Sequence, residues 1–253
     1  MNRTAVYNAL ALRVRPSGEH REAVFLTGED GIVRATVFGG PKSRFRSHVA
    51  PFNSGRLWIY RDPAKDTRKV SDFDVQSWRP GLRELYERSE AANEMAALVL
   101  KSYAAGGEPL SESTEQGGAF AGALDLALST LDALENADEA CCRRLVIRFM
   151  WIWAGLLGMR PDPEHCSSCA CEAAADGLLW FIRGEGLLCQ DCLRRVETRG
   201  GRAADYGLPL GPGARRWFLA VENRPAADIV RISLDTESLA EARALTDALL
   251  RDV

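Results

Sequence analysis

The first regular pattern of the chain stands at residues 6–15, Val6-Tyr7-Asn8-Ala9-Leu10-Ala11-Leu12-Arg13-Val14-Arg15. Larger apolar side chains alternate there with small or polar ones, which is the period-two pattern of a half-buried β-strand. One face of this strand is apolar and the other is basic. The turn signal Pro16-Ser17-Gly18 follows, so we expect the chain to reverse its direction here.

Four further short strands are predicted before residue 80, at residues 22–27, 32–38, 56–60 and 70–78. Glu29-Asp30-Gly31 has the composition of a hairpin turn between the second and third strands. A long loop, residues 39–55, separates the third strand from the fourth. Five short strands with this spacing favour a small barrel of the OB-fold type, and an SH3-like barrel fits almost as well.

From Pro80 onwards the apolar residues recur at helical spacing. Helices are predicted at residues 80–105, 119–134, 139–157, 214–222 and 236–250. The third is apolar almost all round, which is typical of the central helix of a bundle. The sequence therefore predicts an α+β protein with an OB-fold-like barrel at residues 1–79 and a helical bundle domain at 80–253. A cysteine-rich insert interrupts this domain at about 164–196.

The insert contains two C-x2-C pairs, Cys166-Ser167-Ser168-Cys169 and Cys189-Gln190-Asp191-Cys192, with 19 residues between them. Each pair forms a tight turn that directs two sulfurs to one point, and the intervening residues supply a β-hairpin, with strands at 178–182 and 187–188. We expect a zinc-ribbon-like site with these four cysteines as ligands. Four thiolates leave no open position on the metal, so the one Zn²⁺ ion is expected to be structural.

Free thiols or two disulfides are the alternatives for these cysteines. Disulfides are disfavoured because no secretion signal is visible at the start of the sequence. Cys171 lies two residues beyond Cys169 and is an alternative ligand, as is His165. The C-x2-C spacing makes the better metal-binding turn, so both residues are taken as bystanders. Cys141 and Cys142 open an apolar helix and are expected to be small core residues.

The charges are distributed unevenly along the chain. The whole sequence has 32 Lys and Arg against 35 Asp and Glu, but residues 1–80 contain 14 cations and 8 anions. A basic barrel favours an anionic partner, of which nucleic acid is the commonest, although a solvated basic face is the simpler alternative. The candidate DNA contacts are Arg13, Arg15, Arg34, Lys42, Arg44, Arg46 and Arg56. Interleaved aromatic residues, Tyr7, Phe45, Trp58 and Tyr60, either stack on bases or fill the core of the barrel.

Arg144 and Arg148 share one face of the apolar helix at i,i+4 spacing. They are candidate contacts for a protein partner with an acidic tail, although ion pairs within the bundle are the favoured interpretation. The sequence has no Walker loop, no H-E-x-x-H and no G-x-S-x-G motif, and its three histidines are scattered. A conventional hydrolase or a nucleotide-driven motor is therefore not expected, and the protein is predicted not to be an enzyme.

The longest strongly apolar run, residues 149–159, is much shorter than the ~20 residues that a membrane-spanning helix needs. We therefore expect no membrane segment and a cytoplasmic location.

Taken together, these motifs resemble the bacterial recombination mediator family RecO. The resemblance rests on residues 9–19, on Lys42-Ser43-Arg44-Phe45, and on Leu156-Leu157-Gly158-Met159-Arg160-Pro161 leading into the first cysteine pair. The resemblance continues in residues 186–192, Gly-Leu-Leu-Cys-Gln-Asp-Cys, which contain the second cysteine pair. It implies an OB-fold joined to a helical domain with a zinc-binding insert.

The resemblance also implies a function. Proteins of this family bind single- and double-stranded DNA, anneal complementary strands and engage the acidic tail of single-stranded-DNA-binding protein. They act with RecR, and often RecF, to load RecA onto gaps, in the bacterial cytoplasm and at the nucleoid. The alternative that the residues leave open is a zinc-stabilised scaffold whose basic barrel binds an acidic protein instead of DNA.

Overall fold

The computed structural model describes residues 3–39, 43–62, 67–105, 122–198 and 207–253. The chain divides into two compact units, Met1–Cys142 and Arg143–Val253. The division between a barrel domain and a helical domain at residues 79 and 80 stays a prediction. Among the described helices, none is both long and apolar enough to cross a bilayer.

Five strands form a closed barrel in the first unit: β1 (Thr4–Ser17), β2 (His20–Thr27), β3 (Gly31–Val37), β4 (Ser54–Asp62) and β5 (Thr67–Ser77). β1 pairs with both β2 and β4 in antiparallel fashion, β2 pairs with β3, and β4 pairs with β5. A parallel contact between β3 and β5 closes the sheet in the order β1-β2-β3-β5-β4. This strand order confirms the OB-fold-like barrel.

The interior of the barrel is lined by alanines, branched aliphatic side chains and two phenylalanines. Alanines from the first three strands leave room for Phe25 and Phe73, whose rings meet edge to face with centroids 5.6 Å apart. The register of β1 against β2 shifts between Ala11 and Arg13. Beyond this bulge Val14 packs against the core, while Arg13 and Arg15 are exposed.

Helices complete the first unit. A four-residue helix, α1 (Phe45–His48), lies in the long loop between β3 and β4, where the sequence indicated only loop. A 3-10 turn at Pro80–Arg83 precedes α2 (Tyr86–Ala105), so the first long helix begins later than predicted because proline opens a separate short turn. α3 (Ala123–Leu134) packs on β1.

The second unit begins within α4 (Glu139–Leu156) and contains β6 (Leu179–Ile182), β7 (Gly186–Leu188), α5 (Gln190–Thr198), β8 (Leu208–Leu210), α6 (Pro212–Glu222) and α7 (Thr236–Leu249). The predicted hairpin of the insert is present as β6 and β7. β8 adds to it to form the sheet β7-β6-β8, and α7 packs on α6 and β8. Trp151 of α4 and Phe218 of α6 stack with ring centroids 4.0 Å apart in the core. The barrel, the helices and the cysteine cluster confirm the predicted fold class.

Candidate functional site

The first cysteine pair lies in a tight loop that is closed on itself. His165 and Glu172 form an isolated antiparallel bridge at the base of the loop, and the Cys166 N–H donates to the Cys171 carbonyl at 2.9 Å. The Ala170 N–H donates to the Cys166 carbonyl at 2.8 Å, and Ala170 has a φ of 56°. This left-handed residue turns the chain so that Cys171 follows closely behind Cys169.

The second cysteine pair lies where β7 passes into α5, a helix that was not predicted. Cys189 precedes the helix and accepts at its carbonyl from the Leu193 N–H, while Cys192 lies in the first turn. Ser167 joins the two halves, since its N–H donates to the Leu187 carbonyl at 2.7 Å and its hydroxyl accepts from the Leu187 N–H. Ser167 therefore ties the first turn to β7, the strand that leads into the second turn.

Four sulfur atoms in this region lie within 4.8 Å of one another, those of Cys166, Cys169, Cys171 and Cys189. The Sγ atoms of Cys169 and Cys189 lie 3.8 Å apart. A tetrahedral zinc ion with Zn–S bonds of ~2.3 Å separates its sulfur ligands by about the same distance. The donor set and spacing therefore fit a Zn²⁺ ion, which would supply structural cross-linking rather than chemistry.

Cys192, the fourth predicted ligand, lies outside this group of four sulfurs and is buried in an apolar cluster that includes Cys166. It is 2% exposed and packs with Leu188. The sulfur group thus contains three of the four predicted ligands together with Cys171, which the sequence analysis set aside. The assignment of Cys166, Cys169, Cys189 and Cys192 as ligands stays a prediction.

Backbone N–H groups prepare the first pair to carry negative charge. Burial raises the pKa of Cys166, but hydrogen bonds from the N–H groups of Cys189, Cys169 and Ser168 outweigh it and lower this pKa to about 6. The Cys189 N–H lies 3.3 Å from the Cys166 sulfur. The pKa of Cys169 is lowered chiefly by the Cys171 N–H. Thiolate is the form that binds metal, so these bonds favour a cation at the cluster.

The other candidate site is the outer face of the barrel. All six of the predicted DNA-contacting residues that the structure describes are exposed: Arg13, Arg15, Arg34, Arg44, Arg46 and Arg56. The seventh, Lys42, lies outside the described residues. Arg13 and Arg34 flank the same residue, Val24, on adjacent strands. These cations are therefore spread over several strands and the loop after β3, rather than gathered at one point.

Two of the predicted contacts are already paired with carboxylates. Arg15 bonds Glu22 at 3.1 Å, and Arg44 bonds Asp72 at 2.9 Å. Among the described residues, no carboxylate lies within ion-pair distance of Arg13, Arg34, Arg46 or Arg56. These four arginines are therefore a better source of positive potential for an anionic ligand than Arg15 and Arg44.

Strand β4 presents its aromatic residues on the outer side. Trp58 and Tyr60 are half-buried and are not part of the barrel core, whereas Tyr7 and Phe45 pack against it. The Arg56 guanidinium lies over the Trp58 ring at 5.7 Å from its centroid. Arg56 and Trp58 thus place a cation and an aromatic face side by side on one strand, and Tyr60 follows on the same side.

Arg21 supports the loop that carries Arg44 and Arg46, and this role was not identified from the sequence. Its guanidinium donates to the carbonyls of Phe45, Arg46 and Val49, at 2.6, 3.3 and 3.4 Å. These bonds tie α1 to the start of β2 and so position Arg44 and Arg46. No sequence signal separates Arg21 from the neighbouring cations, because its role depends on where the loop folds back.

The candidate partner contacts on α4 differ in burial. Arg144 is half-buried, while Arg148 is 6% exposed and donates to the carbonyls of Val221 and Arg224 at the C-terminal end of α6. Arg148 therefore caps a helix within its own unit. Contact of these two arginines with a protein partner stays a prediction.

Comparison with known proteins bears on the helical part of the chain. The family model described as "Recombination protein O C terminal" matches residues 102–252, more than half of the sequence. No curated protein gives a significant match. The match confirms the resemblance that the sequence motifs indicated and agrees with the helical region that follows the barrel. The chain therefore belongs to the recombination protein O family of DNA repair and recombination mediators.

Proposed function

We propose that this protein binds single- and double-stranded DNA through the outer face of its barrel and anneals complementary strands. In this proposal it acts in the bacterial cytoplasm, at the nucleoid, and helps to load RecA onto gaps covered by single-stranded-DNA-binding protein. RecR is its direct partner and RecF acts alongside it. The protein works by binding and positioning strands and not as an enzyme.

The observation that carries this proposal is the arrangement of Arg56, Trp58 and Tyr60 on β4. Single-stranded DNA needs cations for its phosphates and aromatic faces for its bases. A strand places alternate side chains on one face, at a spacing of ~6.8 Å, so these three residues form one row. The Arg3 guanidinium, 3.5 Å from the Tyr60 hydroxyl, adds a further cation at the end of the row.

Annealing follows from the same surface. Two complementary strands repel each other through their phosphates, and a protein that neutralises part of this charge lowers the barrier to their pairing. Arg13, Arg34 and Arg46 lie on other parts of the barrel and its loop, so they offer phosphate contacts beyond the β4 row. A basic surface of this extent supports contact with more than one strand.

The zinc centre has a supporting role in this proposal. Four thiolate ligands of one Zn²⁺ ion, chosen from the cysteine cluster, would fix the two turns, β6, β7 and α5 as one element of the second unit. The acidic tail of single-stranded-DNA-binding protein is proposed to dock on the helical domain, with Arg144 as the more exposed of the two candidate arginines.

The decisive experiment measures binding of a fluorescent single-stranded oligonucleotide across a salt series. Arg56→Ala should weaken binding and reduce the slope of log K against log salt by about 0.7, since one phosphate contact is lost. Trp58→Ala should weaken binding by roughly 1–3 kcal/mol with an unchanged slope, since stacking is not ionic. Arg231→Ala, an exposed arginine of the second unit, is the charge-matched control.

Salt-independent binding by the wild-type protein would exclude the proposal. The scaffold alternative predicts a different pattern, in which the barrel variants leave DNA binding unchanged and lose binding to an acidic protein. An annealing assay with and without single-stranded-DNA-binding protein then tests the mediator role separately from DNA affinity.

A further inference from the structure

Five cysteines, not four, lie in one region of the second unit. Cys166, Cys169 and Cys189 are common to two overlapping groups. Cys171 joins them in the group whose sulfurs all lie within 4.8 Å of one another. Cys192 joins them in the other group, the two C-x2-C pairs, and it is buried in an apolar cluster with Cys166 against which Cys189 packs.

A structural zinc ion takes four ligands in a tetrahedron. A fifth thiol at the same cluster is therefore surplus whenever the metal is bound. The two candidates for the fourth position differ in surroundings. Cys171 lies in an exposed loop, whereas Cys192 is 2% exposed in the first turn of α5.

Both candidates are held in place independently of the metal. The carbonyl of Cys171 accepts from the Cys166 N–H at 2.9 Å, so its backbone belongs to the closed loop of the first pair. Cys192 is anchored by the packing of α5, with Leu188 and Val196 as apolar neighbours.

We propose that Cys171 and Cys192 are alternative fourth ligands of a single zinc ion. The centre then has two complete ligand sets, Cys166-Cys169-Cys189 with either Cys171 or Cys192. Loss of one of the two exchangeable thiols leaves a full set of four, while loss of a shared thiol does not. This inference rests on the zinc centre proposed above and is independent of DNA binding.

The test compares the zinc content of the purified full-length protein with that of four variants. Cys171→Ala and Cys192→Ala should each retain about one equivalent of zinc. Their double variant should lose it, as should Cys169→Ala, the control for a shared ligand. Alanine is used because it removes the thiol and keeps a small apolar side chain in the cluster around Cys192.

Cobalt(II) substitution provides a second readout, because the absorption spectrum of the bound ion reports the number of its thiolate ligands. A tetrahedral cobalt site with four thiolates has intense ligand-to-metal and d–d absorption, and both single variants should keep this four-thiolate spectrum. Circular dichroism of each variant confirms that the rest of the chain is folded.

Each result decides between the alternatives. Loss of zinc or of the four-thiolate spectrum from either single variant overturns the interchange, since that thiol would then be indispensable. Zinc retained by the double variant also overturns it. A wild-type protein without zinc would refute the centre itself, so failure of the centre and failure of the interchange give different outcomes.

Discussion

A methionine in place of Arg215 should loosen the junction between α6 and the loops that flank the first cysteine pair. The Arg215 side chain is 8% exposed and donates four hydrogen bonds to backbone carbonyls. Its Nε bonds Pro163 at 2.9 Å, and its two Nη atoms bond Ala173, Ala174 and Gly177 at 3.3, 3.1 and 2.6 Å. One guanidinium thereby gathers the chain on both sides of the cysteine loop.

The expected loss of stability follows from these four bonds. A hydrogen bond to a charged group contributes ~1.5–3 kcal/mol. Pro163 is buried, but Ala174 is exposed, and Ala173 and Gly177 are half-buried, so part of the loss is regained when water reaches these carbonyls. Methionine keeps most of the apolar stem of arginine. Together these considerations give a destabilisation of about 3 kcal/mol for Arg215→Met.

Urea unfolding followed by tryptophan fluorescence measures this change, because Trp151, Trp153 and Trp217 are all buried in the second unit. The adjacent Arg216 is exposed and makes a matched control, so Arg216→Met should stay within ~0.5 kcal/mol of the wild type. If Arg215→Met unfolds at the same urea concentration as Arg216→Met, the four bonds do not stabilise the unit and the reasoning is refuted.

Two predictions concern the barrel. Gly55→Ala should destabilise it by about 3 kcal/mol in thermal or urea unfolding, because a Cβ at this position meets the Asp74 backbone carbonyl of the paired strand and forces β4 from β5. Gly28→Ala, whose Cβ makes an ordinary 3.6 Å contact, is the control, and equal effects of the two substitutions would contradict the argument. Burial and a hydrogen bond to Asp30 raise the pKa of Tyr7 from 10.0 to about 12 in the folded protein. The unfolded chain therefore loses this proton at a lower pH than the folded protein does. The stability that the neutral phenol contributes is lost as the pH rises from about 10 to about 12. Tyr7→Phe should therefore show a weaker fall of stability over that range in alkaline unfolding experiments, and parallel curves would exclude the effect.

The barrel could be predicted from sequence because its strands alternate in a period that few other structures share. Even so, two short elements, α5 and β8, were not predicted from the sequence. α5 begins at the residue after Cys189, inside what the spacing indicated as a metal-binding turn. β8 consists of three residues in a Gly- and Pro-rich stretch, and its pairing with β6 depends on chain segments far apart in sequence. Local patterns carry little information about such pairings.

The cysteine centre was predicted for a similar reason, since C-x2-C spacing is set by local turn geometry. Spacing also ranked Cys171 below Cys192, but the structure places Cys171 within the group of four sulfurs and Cys192 in the apolar cluster next to it. The approach of Cys171 depends on the left-handed conformation of Ala170. Alanine rarely adopts this conformation, so nothing in the sequence indicated it. The exposure of the barrel arginines was predictable from strand alternation, but the pairing of Arg44 with Asp72 was not, because it joins a loop to a distant strand.

Because several arginines of this chain are buried, the formal charge overstates the positive charge at the protein surface. Among the described residues the buried charged side chains are Arg79, Arg148 and Arg215, and all three donate to backbone carbonyls. A guanidinium has five donors and stays charged, so one residue satisfies several carbonyls where no backbone N–H reaches them. Such an arginine adds to the formal charge but presents little of it to a partner. Arg148 would have to leave the end of α6 to bind an acidic tail, and this leaves at least two carbonyls without donors. A search for the docking site of an acidic partner should therefore begin with Arg144 and the exposed arginines, since binding there breaks no internal bond of this kind.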